Sequence, residues 1–136
     1  MRRLLLAFLA IGLLSGPEKK KGDQEALQGT WAVSSAYNNG KRLPAEQVKR
    51  LKIIIRGHQF TLAVGRERNE TTFTIDPKEK AITVSYGGGK TKPSRGIYRL
   101  RQGRLYLCFA DPGKARPDDF PEDNAKWQVY FLRKES

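Results

Sequence analysis

The sequence predicts an all-β fold, a small eight-stranded up-and-down antiparallel barrel with one short helix after the first strand. From Gln28 onward the apolar residues mostly recur at every second position, which is typical of strands with one buried face. Segments containing Gly, Asn, Asp or Pro interrupt this alternation about every 8 to 12 residues, as hairpin turns do in sandwiches and barrels. Consecutive antiparallel strands are the simplest topology, and eight of them can close into a barrel.

The alternation defines the strands in order. We place them at residues 29–37, 51–56, 59–64, 70–76, 81–86, 96–101, 104–110 and 126–133. Most connections are short and contain Gly, Asn or Asp, which tolerate positive φ angles in tight turns. The stretch 43–50 has Pro44 near its start and good helix formers behind it, so it predicts one or two helical turns.

One face of each predicted strand belongs to the interior. The inward residues are Trp31, Val33, Leu51, Ile53, Ile55, Phe60, Leu62, Val64, Phe73, Ile75, Ile82, Val84, Tyr86, Tyr98, Leu100, Leu105, Leu107, Phe109, Trp127, Val129 and Phe131. A barrel of eight strands is just wide enough to be filled by side chains or to hold one small ligand. Because nearly every inward side chain is bulky, the sequence favours a filled interior.

Composition excludes several classes of function. The 136 residues suffice for one domain, and 26 Lys and Arg against 14 Asp and Glu give a formal charge of +12. A single cysteine, Cys108, excludes an internal disulfide framework, and a single histidine, His58, excludes His-rich zinc sites. We find no paired acids, Ser-His-Asp set or metal-binding cluster at a convincing spacing. We therefore expect no enzymatic activity, no metal and no cofactor.

The N-terminal segment predicts export. Residues 1–16 have a positive end, an uncharged run at 4–14 and small residues before Pro17, which is the layout of a secretory signal. The run is too short to span a bilayer as a helix. Since Pro17 would follow the cut, removal of the signal and retention as a tether both remain open. We expect a charged linker at 17–26, a barrel domain at 27–134, a monomer, and a location in the periplasm, the cell envelope or outside the cell.

The motif Gly29-Thr30-Trp31 resembles the Gly-x-Trp signature of lipocalins. This resemblance implies that Trp31 closes one end of the barrel and that an arginine from the last strand covers it. Arg133 fits that arginine because it has the same parity as the inward residues predicted for its strand. A guanidinium over an indole ring is a favourable cation–π contact. The pair Trp31 and Arg133 is therefore expected to form a structural lid.

More of the chain is similar to the uncharacterised lipocalin-like domain of secreted planctomycete proteins. The matching pieces are Leu27-Gln28-Gly29-Thr30-Trp31, Asn39-Gly40-Lys41-Arg42-Leu43-Pro44, Phe73-Thr74-Ile75-Asp76-Pro77, Gly96-Ile97-Tyr98, Leu107-Cys108-Phe109-Ala110, Pro112-Gly113 and Arg116-Pro117 followed by Phe120. The similarity covers about residues 26–134. It implies a fold and an exported location, and it carries no established activity.

Two candidate sites follow from the predicted faces. Aromatic and aliphatic side chains at inward positions point to a small apolar ligand at the barrel mouth, held by Phe60, Leu62, Tyr86 and Tyr98. On the outer face, basic side chains on the sixth and seventh strands predict a stripe that binds acidic polymers or an anionic envelope surface, formed by Arg99, Arg101 and Arg104. We do not expect nucleic acid as a partner, because no aromatic residues that could stack on bases are interleaved with these arginines.

Three further features of the sequence each suggest a hypothesis. The segment 87–91 imitates the end of a phosphate-binding loop, but Pro93 prevents the helix that should follow, so a hairpin loop is favoured. No residue that could act as a base lies near Cys108 in the sequence, so we do not expect it to be a catalytic nucleophile. We expect it to pack passively or to form an intermolecular disulfide. The long segment 111–125 could inhibit another protein, and its acids could hold calcium or remain solvated. These acids are Asp118, Asp119, Glu122 and Asp123.

Overall fold

The computed structural model describes residues 22–87 and 91–135. The strands of this part of the chain are β1 (Gly29–Asn38), β2 (Lys41–Arg42), β3 (Leu51–Arg56), β4 (Gln59–Val64), β5 (Glu67–Asp76), β6 (Ala81–Ser85), β7 (Ser94–Arg101), β8 (Arg104–Phe109) and β9 (Gln128–Lys134). Its helical turns are α1 (Asp23–Ala26), α2 (Ala45–Val48) and a 3-10 turn at Glu122–Asn124.

Eight of the strands form a closed antiparallel barrel. Each of β3 to β9 pairs with its neighbour in sequence, β1 pairs with β3, and a β1–β9 ladder closes the cylinder. This confirms the predicted all-β, eight-stranded up-and-down fold. The short β2 is a ninth strand that pairs only with the end of β1. The alternation of apolar residues did not indicate β2 or α1, and the predicted helix at 43–50 is one turn long.

The main core fills most of the interior. Trp31, Ile53, Phe73, Ile82, Leu105 and Leu107 are at most 1% exposed. Leu51, Leu62, Ile75 and Leu100 are partly buried against this core. The inward faces predicted for β3 to β8 are therefore confirmed, apart from the residues near the barrel mouth, where Tyr86 is 37% exposed.

The face assigned to β9 was wrong. In the β8–β9 register, Leu132 pairs with Leu105 and Tyr130 with Leu107, so Tyr130 and Leu132 point inward. Val129 and Phe131 point outward instead. Four consecutive apolar residues occupy 129–132, so alternation alone could not decide between the two faces. Trp127, with a φ of +65°, precedes the strand.

The outward apolar residues form a second, smaller cluster on the barrel wall. It contains Ile97, Cys108, Val129, Tyr37, Phe120, Trp127 and Phe131. The long β8–β9 connection contributes Phe120 and Trp127 to this cluster. Arg116 anchors the connection by donating to the carbonyls of Ile82 at 2.8 Å and Gly96 at 2.7 Å. One part of the outer wall is therefore buried under this connection.

The segment before β1 closes one end of the barrel. Leu27 is completely buried, and its carbonyl accepts a 2.9 Å hydrogen bond from Nε1 of Trp31. Gln28 exchanges two hydrogen bonds with the backbone of Gly57, at 2.6 and 3.0 Å. We call this the closed end; it contains the β3–β4, β5–β6 and β7–β8 turns. The opposite, open end contains the β4–β5, β6–β7 and β8–β9 connections.

Candidate functional site

A pocket of about 340 Å³ occupies the open end of the barrel. We call it the mouth pocket. It is lined by Ile53, Phe60, Leu62, Asn69, Thr71, Val84, Tyr86, Ser94, Phe109, Pro112, Gln128 and Tyr130. These residues come from β3 to β9 and from the start of the β8–β9 connection, so most of the barrel strands contribute to it. Four of the lining residues also belong to the main core, so the pocket borders directly on it: Ile53, Phe60, Val84 and Phe109.

The floor and walls of the mouth pocket are mainly apolar. Phe60 contacts the rings of Phe73 and Phe109 edge-on, with centroids 6.1 Å apart in both pairs. Phe73 belongs to the main core, so these contacts join the pocket floor to it. Edge-to-face pairs of this kind stabilise ring orientations beyond simple burial. A ligand would therefore meet a floor whose rings are already held in place.

A small set of uncharged polar groups lies among the apolar residues of the pocket. The hydroxyls of Tyr86 and Ser94 are 2.8 Å apart, and one donates to the other. The Tyr130 hydroxyl donates to Oε1 of Gln128 over a long 3.4 Å. Burial raises the pKa of Tyr130, so its phenol remains protonated at neutral pH. No acidic or basic side chain is among the residues that line the pocket in the described part of the chain.

Three of the four residues predicted for the ligand site line this pocket: Phe60, Leu62 and Tyr86. The fourth, Tyr98, lies towards the closed end, where its hydroxyl donates to Oδ2 of Asp23 at 2.6 Å. Both Ser94 and Tyr98 point inward from β7, but the strand runs from the open end to the closed end. Ser94 therefore reaches the mouth and Tyr98 does not, which corrects the predicted site.

Several pocket residues escaped the sequence analysis. Tyr130 and Gln128 were missed because the face of β9 was assigned wrongly. Asn69 was missed because the fourth predicted strand began at residue 70, whereas β5 begins at Glu67. Ser94 was missed because the sixth predicted strand began at residue 96, whereas β7 begins at Ser94. Thr71 is a small polar residue on an inward face, and its polarity suggested no role. Extending the alternation of β5 back from Phe73 would have found Thr71 and Asn69.

The cation over Trp31 is Lys134, whose Nζ lies 5.4 Å from the ring centroid. Arg133 occupies the outer face of β9, opposite Ala32 in the β1–β9 register. The predicted lid of Trp31 and Arg133 is therefore corrected to Trp31 and Lys134. The error has the same origin as the wrong face of β9, because adjacent residues of a strand point to opposite faces.

The arginines that lie side by side on the outer wall are not the three predicted for the stripe. Arg101 pairs directly with Arg104 across β7 and β8, and Arg104 pairs directly with Arg133 across β8 and β9. We call these three residues the arginine row. Arg99 lies two positions along β7, and its guanidinium carbon is 4.7 Å from the centroid of the Phe120 ring. Arg99 therefore packs on the β8–β9 connection beside the row.

The arginine row lies on the outer wall near the closed end, and all three residues are exposed. None of them takes part in the ion pairs found among the described residues. Like charges directly opposite each other in a sheet are destabilising. An anion bound between these guanidiniums would relieve that repulsion, and planar guanidiniums are well suited to phosphate, sulfate and carboxylate groups.

The other residues that the sequence singled out do not form a further site in the described part of the chain. Cys108 is buried in the outer cluster, and burial raises the pKa of its thiol to about 11. His58 lies in the β3–β4 turn near Phe73. In the described ranges, no group of acids, His and Cys is arranged to hold a metal ion, including the acids of the β8–β9 connection. Residues 88–90 of the glycine-rich segment and the predicted export signal lie outside the described residues.

Two general findings complete the description. Across residues 22–87 and 91–135, no helix has the length and apolar character needed to cross a membrane. Comparisons with protein-family models, with curated proteins and with solved structures found no match.

Proposed function

We propose that the protein is an exported, non-catalytic binding domain that holds one small apolar ligand in the mouth pocket. The observation that carries this proposal is the 340 Å³ pocket at the open end of an otherwise filled barrel. Ligand sites typically measure about 300–1,000 Å³ and combine apolar walls with a few polar groups. The pocket is at the lower end of that range, which favours one small molecule. The proposal includes a lipocalin-like relationship, supported by the position of Gly29-Thr30-Trp31 at the closed end.

The lining favours a neutral ligand. A carboxylate or ammonium group inside the pocket would lose its hydration without meeting an opposite charge, which is costly. The hydroxyls of Tyr86, Ser94 and Tyr130 instead offer hydrogen bonds to an uncharged hydroxyl, carbonyl or ether oxygen. We therefore propose a ligand with an aromatic or aliphatic body and one such polar group.

Filling the mouth pocket tests the proposal. The probe is N-phenyl-1-naphthylamine, a neutral dye whose fluorescence rises in apolar surroundings. Asn69→Trp places a large side chain into the pocket from an exposed rim position, and we expect it to weaken dye binding at least tenfold. Glu70→Trp is the matched control, because residue 70 is adjacent on β5 and points outward. Absence of dye binding by the unmodified protein, or equal binding by both variants, would contradict the proposal.

The protein isolated from its source provides a second test. Native mass spectrometry of the exported protein should show a bound neutral molecule of low mass, and Asn69→Trp should remove it. The same spectrum measures the mature N-terminus and therefore tests whether the segment before Pro17 is cut. A spectrum of the bare chain alone would count against ligand carriage.

The arginine row supports a second candidate function, adhesion to an acidic polysaccharide or an anionic envelope surface. The observation that supports this second function is the direct cross-strand pairing of Arg101 with Arg104 and of Arg104 with Arg133. We expect retention on a sulfated matrix at about 0.15 M salt, falling steeply as salt increases because the interaction is electrostatic. Replacement of all three arginines by glutamate should abolish retention; unchanged retention would exclude this function.

A further inference from the structure

We propose that the closed end of the barrel docks on an anionic lipid surface, so that the mouth pocket faces away from the bilayer. This inference rests on the second candidate function above and names its partner. Three observations support it: the geometry of the arginine row, the charge balance of the closed end, and the point at which the described chain begins.

The arginine row suits an array of headgroups. Neighbouring strands are about 4.8 Å apart, so three directly paired residues on β7, β8 and β9 present their guanidiniums side by side across the barrel wall. Lys52 lies further along the same direction, because Ala32 pairs with both Arg133 and Lys52, but its charge is paired with Glu135 and does not extend the row. A row of adjacent cations can bind several phosphate groups at once, as a lipid surface presents them.

The closed end carries unpaired positive charge beyond the row. Arg56 lies at the β3–β4 turn and Lys78 in the β5–β6 turn. Two acids of this end are already neutralised, since Asp23 pairs with Lys80 at 2.7 Å and Glu135 with Lys52 at 2.9 Å. The other acids near this end are Glu25, Asp76 and Glu79, together with Asp118 and Asp119, which line a groove with Arg99 and Arg101. The cations that oppose these five acids are Arg56, Lys78, Lys134, Arg99 and the three arginines of the row. The balance is therefore positive.

The described chain begins at this same end. Gly22 precedes α1, whose Asp23 is bonded to Tyr98 and Lys80. Directly before Gly22 the sequence contains Lys19-Lys20-Lys21, and the uncharged run at 4–14 ends five residues before Lys19. Chain continuity thus joins three more cations, and an apolar segment, to the closed end. When the segment before Pro17 is retained, a lipid surface offers partners to both kinds of group, whereas a soluble polysaccharide offers a partner only to the cations. When that segment is cut, Lys19-Lys20-Lys21 still adds positive charge to the closed end.

The first experiment measures sedimentation of the full chain with vesicles. Vesicles of phosphatidylcholine alone give the contribution of apolar segments, and vesicles containing 30% phosphatidylglycerol add negative charge. We expect the triple variant Arg101→Gln, Arg104→Gln and Arg133→Gln to lose at least tenfold in affinity for the charged vesicles only. Equal affinity of this variant and the unmodified protein for charged vesicles would overturn the proposal.

A control triple variant separates position from total charge. Arg66→Gln, Arg68→Gln and Lys92→Gln remove the same charge from exposed positions at the open end. We expect this variant to retain its affinity for charged vesicles within about twofold. Losses of the same size in both triple variants would show that net charge alone determines binding, and the proposed orientation would be wrong.

The orientation itself is measured with a fluorophore sensitive to polarity. Gln102→Cys places the label in the β7–β8 turn at the closed end, and Thr91→Cys places it at the open end. The buried thiol of Cys108 should not react under native conditions. On charged vesicles we expect a blue shift for the label at residue 102 and none at residue 91. A shift at residue 91 alone, or equal shifts at both, would overturn the proposal.

Two further measurements distinguish lipid docking from the two functions proposed above, adhesion through the arginine row and ligand binding in the mouth pocket. We call the variant with Arg101→Gln, Arg104→Gln and Arg133→Gln the arginine-row variant. If it loses retention on the sulfated matrix but binds charged vesicles as the unmodified protein does, the lipid partner is rejected and the second candidate function is kept. If the arginine-row variant loses neither retention on the sulfated matrix nor binding to charged vesicles, both the lipid partner and the second candidate function are rejected. Binding of N-phenyl-1-naphthylamine should be the same in the arginine-row variant and the unmodified protein, because the mouth pocket lies at the other end.

Discussion

The carboxylate of Asp23 accepts a 2.6 Å hydrogen bond from the hydroxyl of Tyr98, which lies 75 residues later in the sequence. The same Oδ2 atom accepts a 2.7 Å bond from Nζ of Lys80. α1 has only four residues and would not be stable as an isolated helix. Its position therefore depends on contacts with the barrel, of which this pair of hydrogen bonds is the most polar.

Replacing Asp23 should weaken the closed end. We expect Asp23→Ala to lower the free energy of unfolding at pH 7 by about 1–2 kcal/mol, because it leaves Tyr98 and Lys80 without their acceptor. Glu25→Ala is the matched control on the exposed side of the same helix and should change stability little. Chemical denaturation measures both. Equal effects of the two substitutions would contradict the role assigned to Asp23.

The contribution of Asp23 should depend on pH. Burial alone would raise its pKa, but the hydrogen bonds from Lys80 and Tyr98 outweigh this effect and lower the pKa below its ordinary value of 3.8. The carboxylate therefore stabilises the fold above pH 3.8, and this contribution disappears as the pH falls through the lower folded-state pKa. The stability difference between the unmodified protein and Asp23→Asn should shrink over that acid range. A difference independent of pH would contradict this assignment.

Lys134, and not Arg133, should stabilise the environment of Trp31. Lys134→Ala removes the cation over the indole and the aliphatic stem that lies beside Gly29, so we expect a loss of about 0.5–1 kcal/mol. Arg133→Ala should change stability less, since its side chain is exposed on the outer face. Thermal unfolding followed by tryptophan fluorescence compares the two. A larger effect at residue 133 would restore the lid that the sequence predicts.

Much of the barrel could be predicted from the sequence because its interior positions alternate cleanly. Phe73 and Ile75 on β5, and Ile82 and Val84 on β6, are separated by polar residues and leave only one choice of buried face. The same reasoning failed on β9, where a second apolar cluster on the outer wall makes both faces hydrophobic. It also could not anticipate the bulge between Val33 and Ser35, which turns Ala36 into the core.

The candidate site was predictable only in part. The residues that line the mouth pocket had to point inward, which alternation shows, and also to lie near the open end, which requires the direction of each strand. Phe60, Leu62 and Tyr86 satisfy both conditions, whereas Tyr98 satisfies only the first. The cross-strand partners of the arginine row depend on register, and the sequence does not specify the register between β8 and β9.

Arg116 should hold the β8–β9 connection in place. Its guanidinium donates to two backbone carbonyls and, at 3.0 Å, to Oγ1 of Thr83. Burial, together with the nearby charge of Arg95, lowers its pKa. We expect Arg116→Ala to cost about 2 kcal/mol and to speed tryptic cleavage after Lys114. Arg95→Ala, which removes a single 3.4 Å bond, is the control, and equal cleavage rates in the two variants would contradict the anchor.

Gly96 should control the shape of the mouth pocket. A Cβ atom at this position would lie 2.6 Å from the carbonyl oxygen of Cys108 and 2.6 Å from the ring of Phe109. Phe109 lines the pocket, so Gly96→Ala must displace either the ring or the β7–β8 ladder. We expect a loss of about 1–3 kcal/mol in stability and weaker binding of N-phenyl-1-naphthylamine.

The control for Gly96 is Gly87→Ala, because a Cβ at residue 87 meets no atom of the described residues within 4 Å. This variant should keep both its stability and its dye affinity. If Gly96→Ala loses stability but binds the dye as tightly as the unmodified protein, then Phe109 does not shape the binding site. If it loses dye affinity while Gly87→Ala does not, the close packing between β7 and β8 sets the volume available to the ligand.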